Sequence, residues 1–416
     1  MIVENLPVPF DRRVWSEATT LRDAGYEVSV ICPKGKDAEK SREVIGGIHI
    51  YRHPLPLEAR GALAYPLEYI WALVCEFWLA LRVLLTRGFD IIHACNPPDT
   101  IFLIGGFFKL FMGKQFVFDH HDINPELYEA KFGRRDFFYR LLVRLERWTF
   151  RTADISIATN HSYEQIAIGR GGMPRERVFV VRSGPKLERL KIAPPRPELK
   201  RGRQFLVGYV GVIGQQEGID ILLRAVSHIV HALERRDVHF GIVGGGPALA
   251  DMRHLAERLG VSPYVTFTGR VADDTLLAML NTADVCVNPD RANVMNDKST
   301  MNKIMEYMAL KKPIVQFDLT EGRFSARDAS LYAEKNDPVD FAERILELLA
   351  DPERRARMGA YGHRRVREEL SWEYEAPKLL AAYAALERLR LKLPLPAREE
   401  APQRGREIVR PIRAAE

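Results

Sequence analysis

The chain has 416 residues, of which 46% are hydrophobic and 28% are charged, so it is long enough to bury the cores of two domains. Its net charge of +6 is compatible with an anionic ligand, an anionic lipid surface or nucleic acid. The four cysteines are scattered, which argues against a disulfide scaffold and favours a reduced, cytosolic setting. Charged residues interrupt the N-terminus, so no signal peptide is expected.

The first half of the sequence alternates short apolar runs with helical patterns, which is typical of a doubly wound parallel α/β sheet. The loop at residues 4–13 lacks Gly-x-Gly-x-x-Gly, which argues against a dinucleotide-dependent redox enzyme. Arg12 and Arg13 in this loop suit either an anionic ligand or salt bridges at the start of a helix. Strands are predicted at residues 1–3, 28–32, 49–52, 91–94, 115–118 and 155–158.

Three segments of the first half indicate contact with a membrane surface. Residues 67–85 are nearly all apolar, but Glu76 near their centre argues against a transmembrane span. Residues 100–112 are too short to cross a bilayer, and both segments could instead be helices buried against the sheet. Residues 137–151 carry a basic stripe that suits anionic headgroups, and together the three predict peripheral attachment. The stripe consists of Arg140, Arg144, Arg147 and Arg151.

The predicted strand at residues 115–118 is followed by Asp119 and then by a pair of histidines, His120 and His121. Because ligands of open α/β sheets bind beyond the carboxyl ends of the strands, we expect a functional histidine here. A structural role and a metal-binding role are the alternatives, although no third spaced set of ligands accompanies the pair. We expect a ligand-contacting histidine and no metal.

The second half of the sequence restarts the strand–helix alternation after residues 186–203, which are rich in Pro, Lys and Arg and are predicted to connect two domains. The glycine turn that ends at Gly214 can bring a phosphate close to backbone amides. A tight turn is a sufficient explanation for the glycines of residues 242–247. Strands are predicted at residues 206–210, 239–243, 265–268, 285–288 and 314–317.

Residues 296–318 are the most informative part of the chain, and they are interpreted as a polar loop, a helix and a strand. The unpaired N–H groups at a helix start suit a diphosphate, and Lys303 in the first turns can meet phosphate charge. Glu306, one turn later, can accept hydrogen bonds from vicinal hydroxyls such as those of a ribose. An ordinary amphipathic helix with a charged face is the alternative. The other candidate donor-binding residues in this block are Lys298, Ser299, Thr300 and Asn302.

These motifs resemble glycosyltransferase family 4, whose members are retaining enzymes with the GT-B fold, two Rossmann-like α/β domains that face a cleft. The resemblance runs in order over residues 1–390 and is strongest at residues 5–15, at His121 and at residues 301–315. It implies that His121 is the catalytic histidine that contacts or orients the donor sugar, and that Glu306 binds the nucleotide ribose. It also implies that the backbone near Arg270 borders the nucleotide base.

The sequence departs from the family pattern at three positions. Lys298 replaces the first glutamate of the family signature, so recognition of the donor sugar is not implied for this position. Val212 and Glu217 replace an arginine and a lysine that grip the diphosphate in the family. Phosphate binding is therefore expected from Lys298, Lys303 or the first domain. The candidates on the acceptor or phosphate side are Arg12, Arg13 and His120.

The resemblance implies a metal- and cofactor-independent transfer of a sugar from a nucleotide-sugar to a glycan or lipid-linked acceptor. Surface-polysaccharide assembly at the cytoplasmic face of the cell membrane is the expected setting. Nucleic-acid binding is not expected, because the basic residues are dispersed. A nucleotide-sugar 2-epimerase of the same fold and a non-catalytic binding subunit remain alternatives. The implied organisation is a domain at 1–185, a linker at 186–203, a domain at 204–370, a returning helix at 371–390 and a disordered tail at 391–416.

Overall fold

The computed structural model describes residues 1–54 and 64–395, and it describes side chains within 1–54 and 70–395. The described chain forms two α/β units joined by a segment with little regular structure, so the predicted fold class is confirmed. From residue 396 onward, the predicted disordered tail lies outside the described residues. No helix within the described ranges is long and apolar enough to cross a bilayer.

The first domain contains strands that pair in the orders β2-β3-β1 and β4-β5-β6-β7. Ile2 joins the two groups through parallel bridges to Ile31 and Ala94, so only this residue of the predicted strand 1–3 pairs. The sequence analysis does not predict β2 and β7, whereas the other five strands are confirmed. The strands are β1 (Ser29–Pro33), β2 (Arg42–Ile45), β3 (Ile48–His53), β4 (Ile91–Cys95), β5 (Gln115–His120), β6 (Ile155–Ala158) and β7 (Val178–Val180).

Helices pack against the sheet of the first domain, as the buried parallel strands require. Helix α1 begins at Arg12 because the carboxylate of Asp11 accepts a hydrogen bond from the backbone N–H of Val14 at 3.0 Å. Helix α5 begins in the same way after Asp136. The helices of this domain are α1 (Arg12–Asp23), α2 (Ala64–Thr86), α3 (Phe102–Met112), α4 (Asn124–Phe132), α5 (Phe137–Thr152) and α6 (His161–Gly169).

The second domain contains one six-stranded parallel sheet with the strand order β10-β9-β8-β11-β12-β13. This order reverses between β8 and β11, and ligands of open α/β sheets bind beyond the strand ends at such a point. The five predicted strands of this half are confirmed, and β13 is an additional one. The strands are β8 (Phe205–Val210), β9 (Val238–Val243), β10 (Val265–Gly269), β11 (Val285–Asn288), β12 (Ile314–Phe317) and β13 (Ser330–Ala333).

The helices of the second domain surround its sheet, and their buried faces contribute to its core. Helix α7 follows Gly218, whose φ of 65° lies in the left-handed region. A Cβ at Gly218 would lie 1.9 Å from the carbonyl oxygen of Pro289, so only glycine fits this close approach. The helices are α7 (Ile219–Ser227), α8 (Leu249–Arg258), α9 (Asp273–Thr282), α10 (Val294–Lys298), α11 (Asn302–Ala309), α12 (Thr320–Ala326), α13 (Pro338–Ala350) and α14 (Pro352–Arg365).

The final helix, α15 (Trp372–Arg390), packs against the first domain. The indole N–H of Trp372 donates to the hydroxyl of Thr20 at 2.8 Å, and the hydroxyl of Tyr383 is hydrogen-bonded to Nδ1 of His93 at 2.8 Å. Because buried aromatic side chains with a polar atom need such a partner, these contacts anchor the helix. The chain therefore crosses between the domains twice, once before β8 and once before α15.

Candidate functional site

The carboxyl ends of the strands of both domains face a common cleft, and hydrogen bonds connect the two sides of this cleft. Asn160, after β6, donates from Nδ2 to the carbonyl oxygen of Lys298 at 2.8 Å and to Oγ1 of Thr300 at 3.0 Å. Near this contact, Arg182 of the first domain forms an ion pair with Glu321 of the second at 3.1 Å. Residues 298–300 of the second domain therefore lie directly against the first domain.

Helix α11 starts at this cleft without a side-chain cap. Its N-cap residue, Met301, offers no side-chain acceptor to the first N–H groups of the helix. Uncapped N–H groups carry partial positive charge, and the end of the helix dipole adds to it. This end of the helix can therefore bind an anionic group such as a phosphate. The predicted residue Asn302 begins the helix and is exposed to solvent.

Glu306 lies one turn into α11 and is held by two arginines. Its Oε1 accepts a hydrogen bond from Nη1 of Arg12 at 3.0 Å and another from Nη2 of Arg189. The same two guanidinium groups contact Asp273 at 3.2 and 3.1 Å. Arg12 belongs to the first domain and Arg189 to the connecting segment. These four residues, called the arginine–carboxylate cluster below, join three parts of the chain.

Lys303 differs from the expectation that it faces phosphate freely, because carboxylates surround its ammonium group. Nζ lies 3.0 Å from Asp290 and 3.2 Å from Glu217, and it stands over the ring of Tyr209. Burial raises the pKa of Asp290 to about 7, and the nearby ammonium group limits that rise. Burial opposes the charge of Lys303, but Asp290 above all holds its pKa well above the usual range. The positive charge of Lys303 is therefore compensated locally.

The glycine turn that includes Gly214 packs against the turn that follows β9. A Cβ at Gly244 would lie 1.8 Å from the carbonyl oxygen of Gly211, so a side chain at this position would separate the two turns. The predicted structural role of the glycines in residues 242–247 is consistent with this contact. Gly214 precedes a short 3-10 turn instead of a long helix, so it lies less close to a helix dipole than expected.

His121 follows β5 and is oriented by a buried network. Its Nε2 lies 2.5 Å from Oδ2 of Asp119, and its backbone N–H donates to Oδ1 of Asn96 at 2.7 Å. Arg13 donates to the same carboxylate from Nη2 at 2.8 Å. Burial alone would raise the pKa of Asp119, but Arg13 and His121 hold it well below its usual range. Asp119 therefore stays ionised and fixes one nitrogen of the His121 ring.

Two residues predicted on the acceptor or phosphate side occupy other positions. Arg13 is buried and pairs with Asp119 and with Glu17, at 3.0 Å from the latter, which matches the salt-bridge alternative for this residue. His120 is fully buried and packs between the rings of Phe150 and Tyr163, so it does not line the cleft. Successive residues at a strand end point to opposite faces, and this alternation separates His120 from His121.

The buried network also provides a group of side chains with metal-ligand chemistry. Ligand atoms of Glu17, Asp119 and His121 lie within 4.8 Å of one another. However, the guanidinium of Arg13 already donates to Asp119 and forms an ion pair with Glu17, and its charge balances one of these two carboxylates. A cation at this place would therefore have to compete with a buried arginine.

The remaining predicted donor residues border the cleft. Nζ of Lys298 lies 3.3 Å from Glu126 of the first domain, so the residue that replaces the family glutamate pairs with a carboxylate across the cleft. The hydroxyl groups of Ser299 and Tyr163 are 3.2 Å apart. Arg270 lies after β10 with its guanidinium 5.8 Å from the ring centre of Phe10. Sequence patterns alone did not single out Arg189, Asp273 or Glu126 as binding residues.

Comparisons with known proteins agree with this architecture. Residues 11–189 match the family model Glycosyltransferase Family 4, and residues 204–351 match the model Glycosyl transferases group 1. Sucrose-phosphate synthase from Thermosynechococcus elongatus superimposes with a TM-score of 0.77 at 18% identity, covering 93% of this chain and 98% of that chain. The Anabaena protein HepE, solved with UDP and glucose, superimposes with a TM-score of 0.69 at 16% identity, covering 92% and 98%.

Curated relatives match over shorter stretches. A GDP-mannose-dependent monoacylated alpha-(1-6)-phosphatidylinositol monomannoside mannosyltransferase of Corynebacterium glutamicum is 28% identical over 45% of this chain and 52% of the relative. The 2-deoxystreptamine glucosyltransferase of Streptomyces kanamyceticus is 26% identical over 51% and 55%. The chain thus spans about half the length of the curated relatives it matches. Two family models span most of both domains and the fold agrees with them, so the chain belongs to the group 1, or family 4, glycosyltransferases.

Proposed function

We propose that this chain transfers a hexose from a nucleotide-sugar to an acceptor with retention of the anomeric configuration. The observation that carries the proposal is the start of α11, where uncapped N–H groups and Glu306 lie together at the cleft. The N–H groups suit a diphosphate, and a carboxylate one turn away suits the two hydroxyls of a ribose. An ordinary amphipathic helix, the alternative interpretation of this segment, would not need its first turn to face the first domain across the cleft.

The proposed chemistry depends on charge that develops on the departing diphosphate. The N–H groups at the start of α11 stabilise that charge without having to reorganise during the reaction. The network of Asp119 and Asn96 positions His121, and because its Nε2 is engaged, Nδ1 is the ring nitrogen that can meet the donor sugar. Retention follows if the acceptor oxygen attacks beside the departing phosphate, which the cleft would hold in position.

The donor is proposed to be a nucleoside diphosphate hexose bound without a metal or cofactor. Two names among the comparisons support this class, since one relative is GDP-mannose-dependent and HepE was solved with UDP-glucose. The residues proposed to border the donor are Lys298, Ser299, Thr300, Asn302, Lys303, Glu306, Gly214 and Arg270, with His121 opposite them.

The acceptor is proposed to be presented at an anionic membrane surface, on the cytoplasmic side. Helix α2 buries Glu76 together with Ala72, Ala80 and Val83, and it exposes Trp71 and Trp78 on its solvent side. Ring contacts join this helix to α3, where Phe77 and Phe107 are 5.0 Å apart. Exposed tryptophans on an apolar surface are typical of residues that enter the interfacial region of a bilayer.

The basic stripe predicted on α5 lies beside this apolar surface. Phe102 of α3 and Trp148 of α5 are in edge contact with ring centres 6.0 Å apart, which makes the surface continuous. All four stripe arginines are exposed, and none of them forms an ion pair with a residue that the structure describes. Uncompensated arginines attract anionic headgroups. A lipid in the name of one relative supports a lipid-linked acceptor as well.

A thermal-shift screen with UDP-glucose, GDP-mannose and related nucleotide-sugars tests the donor site. A ligand at about 100 times its Kd stabilises the native state by roughly 2.7 kcal/mol, which such a screen detects easily. We expect stabilisation by one donor class that Glu306→Ala abolishes and that Glu353→Ala, an exposed glutamate on α14, leaves unchanged. No shift with any nucleotide-sugar would contradict the proposal.

NMR analysis of the sugar products separates transfer from the two alternatives. Transfer with retention gives a product whose anomeric coupling matches that of the donor. Interconversion of the donor in the absence of any acceptor would instead identify a 2-epimerase. Binding of a donor without turnover, with lipid-linked acceptors supplied, would identify a non-catalytic subunit.

A further inference from the structure

We propose that Arg12 and Arg189 bind the diphosphate of the nucleotide. When the ribose hydroxyls bind the carboxylate of Glu306, the two arginines leave this carboxylate and bind phosphate oxygens instead. This inference rests on the proposed function, because it requires a nucleotide at Glu306. It assigns a binding role to Arg189, which belongs to the connecting segment. It also gives Arg12 a specific role at the donor.

The need for these arginines arises from the composition of the glycine turn. Residues 211–217 contain no basic side chain, and Glu217 introduces a negative charge instead. The nearest lysine, Lys303, has two carboxylates within 3.2 Å of its ammonium group. One ammonium between two carboxylates leaves little positive potential for an incoming diphosphate. The N–H groups of α11 remain, but a diphosphate carries more charge than one helix end neutralises.

The arginine–carboxylate cluster provides the missing charge at the right place. Arg12 and Arg189 each bridge Glu306 and Asp273, so two guanidinium groups and two carboxylates form a group without net charge. Both arginine side chains are accessible, with 55% and 27% of their surface exposed, while that of Glu306 is 13% exposed. Long accessible arginines can change partners with little disturbance of the backbone.

Nucleotide geometry makes the exchange direct. The ribose hydroxyls that donate to Glu306 are separated from the first phosphate only by the sugar ring and one methylene group. A guanidinium that leaves Glu306 therefore meets phosphate oxygens nearby, and it can bind them in the same bidentate manner as a carboxylate. The exchange replaces ion pairs within the protein by ion pairs to the ligand, so no buried charge is left unpaired.

Isothermal titration calorimetry with uridine, UDP, guanosine and GDP tests the exchange. The variants are Arg12→Gln/Arg189→Gln and, as a control, Arg224→Gln, which removes an exposed arginine of α7. We expect the double variant to weaken binding of the diphosphate by ~10- to 100-fold, the range for lost charge-assisted hydrogen bonds. Binding of the matching nucleoside should stay constant or become tighter, because the variant frees Glu306.

A second variant, Asp273→Asn, removes a competitor for the arginines. It should tighten diphosphate binding several-fold and leave nucleoside binding unchanged. Equal losses for nucleoside and diphosphate in the double variant would overturn the exchange, and so would unchanged diphosphate binding. If the wild-type protein binds none of the four probes and also neither adenosine nor ADP, the proposed function fails together with the exchange. If it binds them without the expected difference, the exchange alone fails.

Discussion

Nζ of Lys303 lies 3.2 Å from the carboxylate of Glu217, so a cation from α11 pairs with the acidic residue of the glycine turn. Asp290 completes the group at 3.0 Å from the same ammonium. These ion pairs connect the glycine turn and the loop after β11 to helix α11, so the protonation of each group depends on the charges of the others.

Lys303→Met is expected to destabilise the protein, and more strongly at alkaline than at acidic pH. Removing the buried ammonium leaves Asp290 and Glu217 without a counter-charge, which costs about 3–5 kcal/mol. The pKa of Asp290 is already raised to about 7, so its contribution to stability is present at low pH and is lost as the pH rises through that value. The pKa rises further without Lys303.

Urea denaturation at pH 5 and pH 8 measures this difference. Lys335→Met, which removes an exposed lysine, serves as the control and should change the free energy of unfolding little at either pH. A deficit of Lys303→Met that is the same at both pH values would show that the carboxylates do not depend on Lys303.

His121→Ala is expected to slow sugar transfer by ~100-fold, the cost of losing a group that positions the donor. The affinity for the nucleoside diphosphate should change little, because the imidazole is proposed to face the sugar and not the nucleotide. Steady-state transfer rates combined with calorimetric Kd values separate the two effects. A variant that loses affinity for the diphosphate without a change in kcat would contradict the assignment.

Local sequence patterns were sufficient for the strands that carry the site. Buried parallel strands appear as continuous apolar runs, and the positions of Glu306 and His121 follow from strand and helix ends. The short strand β2 lies at the edge and alternates in burial, so its sequence has no such run. The partners of Glu306 were not predictable, because Arg12 and Arg189 are 294 and 117 residues away in the sequence.

The sequence pattern of α2 also could not predict which of its faces is buried. Glu76 lies near the centre of this apolar segment, and a charged side chain of a helix usually points to solvent. Glu76 instead faces the interior, with its Oε1 4.0 Å from Nε2 of His53, while Trp71 and Trp78 are exposed. A sequence pattern shows which residues share a face of a helix, but only tertiary packing decides which face is buried.

Membrane binding is expected to require both the apolar face of α2 and the basic stripe of α5. Arg144→Glu/Arg147→Glu should weaken partitioning onto anionic vesicles by at least ~10-fold, since each basic residue near the surface contributes about 1 kcal/mol. Trp71→Glu/Trp78→Glu should weaken binding to the same vesicles by removing the inserted aromatic side chains. Vesicle flotation with and without phosphatidylglycerol measures both effects.

The matched control for the charge reversal is Arg224→Glu/Arg258→Glu, which changes two exposed arginines of the second domain by the same amount of charge. This control should retain vesicle binding if attachment is local to the first domain. Equal losses in both charge-reversed variants would indicate that only the net charge matters and that the α5 stripe is not a specific surface.

Glu76→Gln is expected to stabilise the protein at pH 8 and to have little effect at pH 5. Neither carboxylate oxygen of Glu76 has a hydrogen-bond partner in the described structure, and burial raises its pKa well above the usual range. Folding therefore favours the protonated form, so the contribution of Glu76 is present below its ordinary pKa and is lost as the pH rises toward the raised value. A glutamine stays neutral throughout, so the gain should grow by up to about 1.4 kcal/mol for each pH unit above the ordinary pKa until the raised pKa is reached. Thermal unfolding of the two proteins from pH 5 to pH 8 measures the difference, with Glu353→Gln on the surface of α14 as the control. If wild type and Glu76→Gln lost stability in parallel over this range, another buried carboxyl group, such as Glu17, would have to account for the pH dependence.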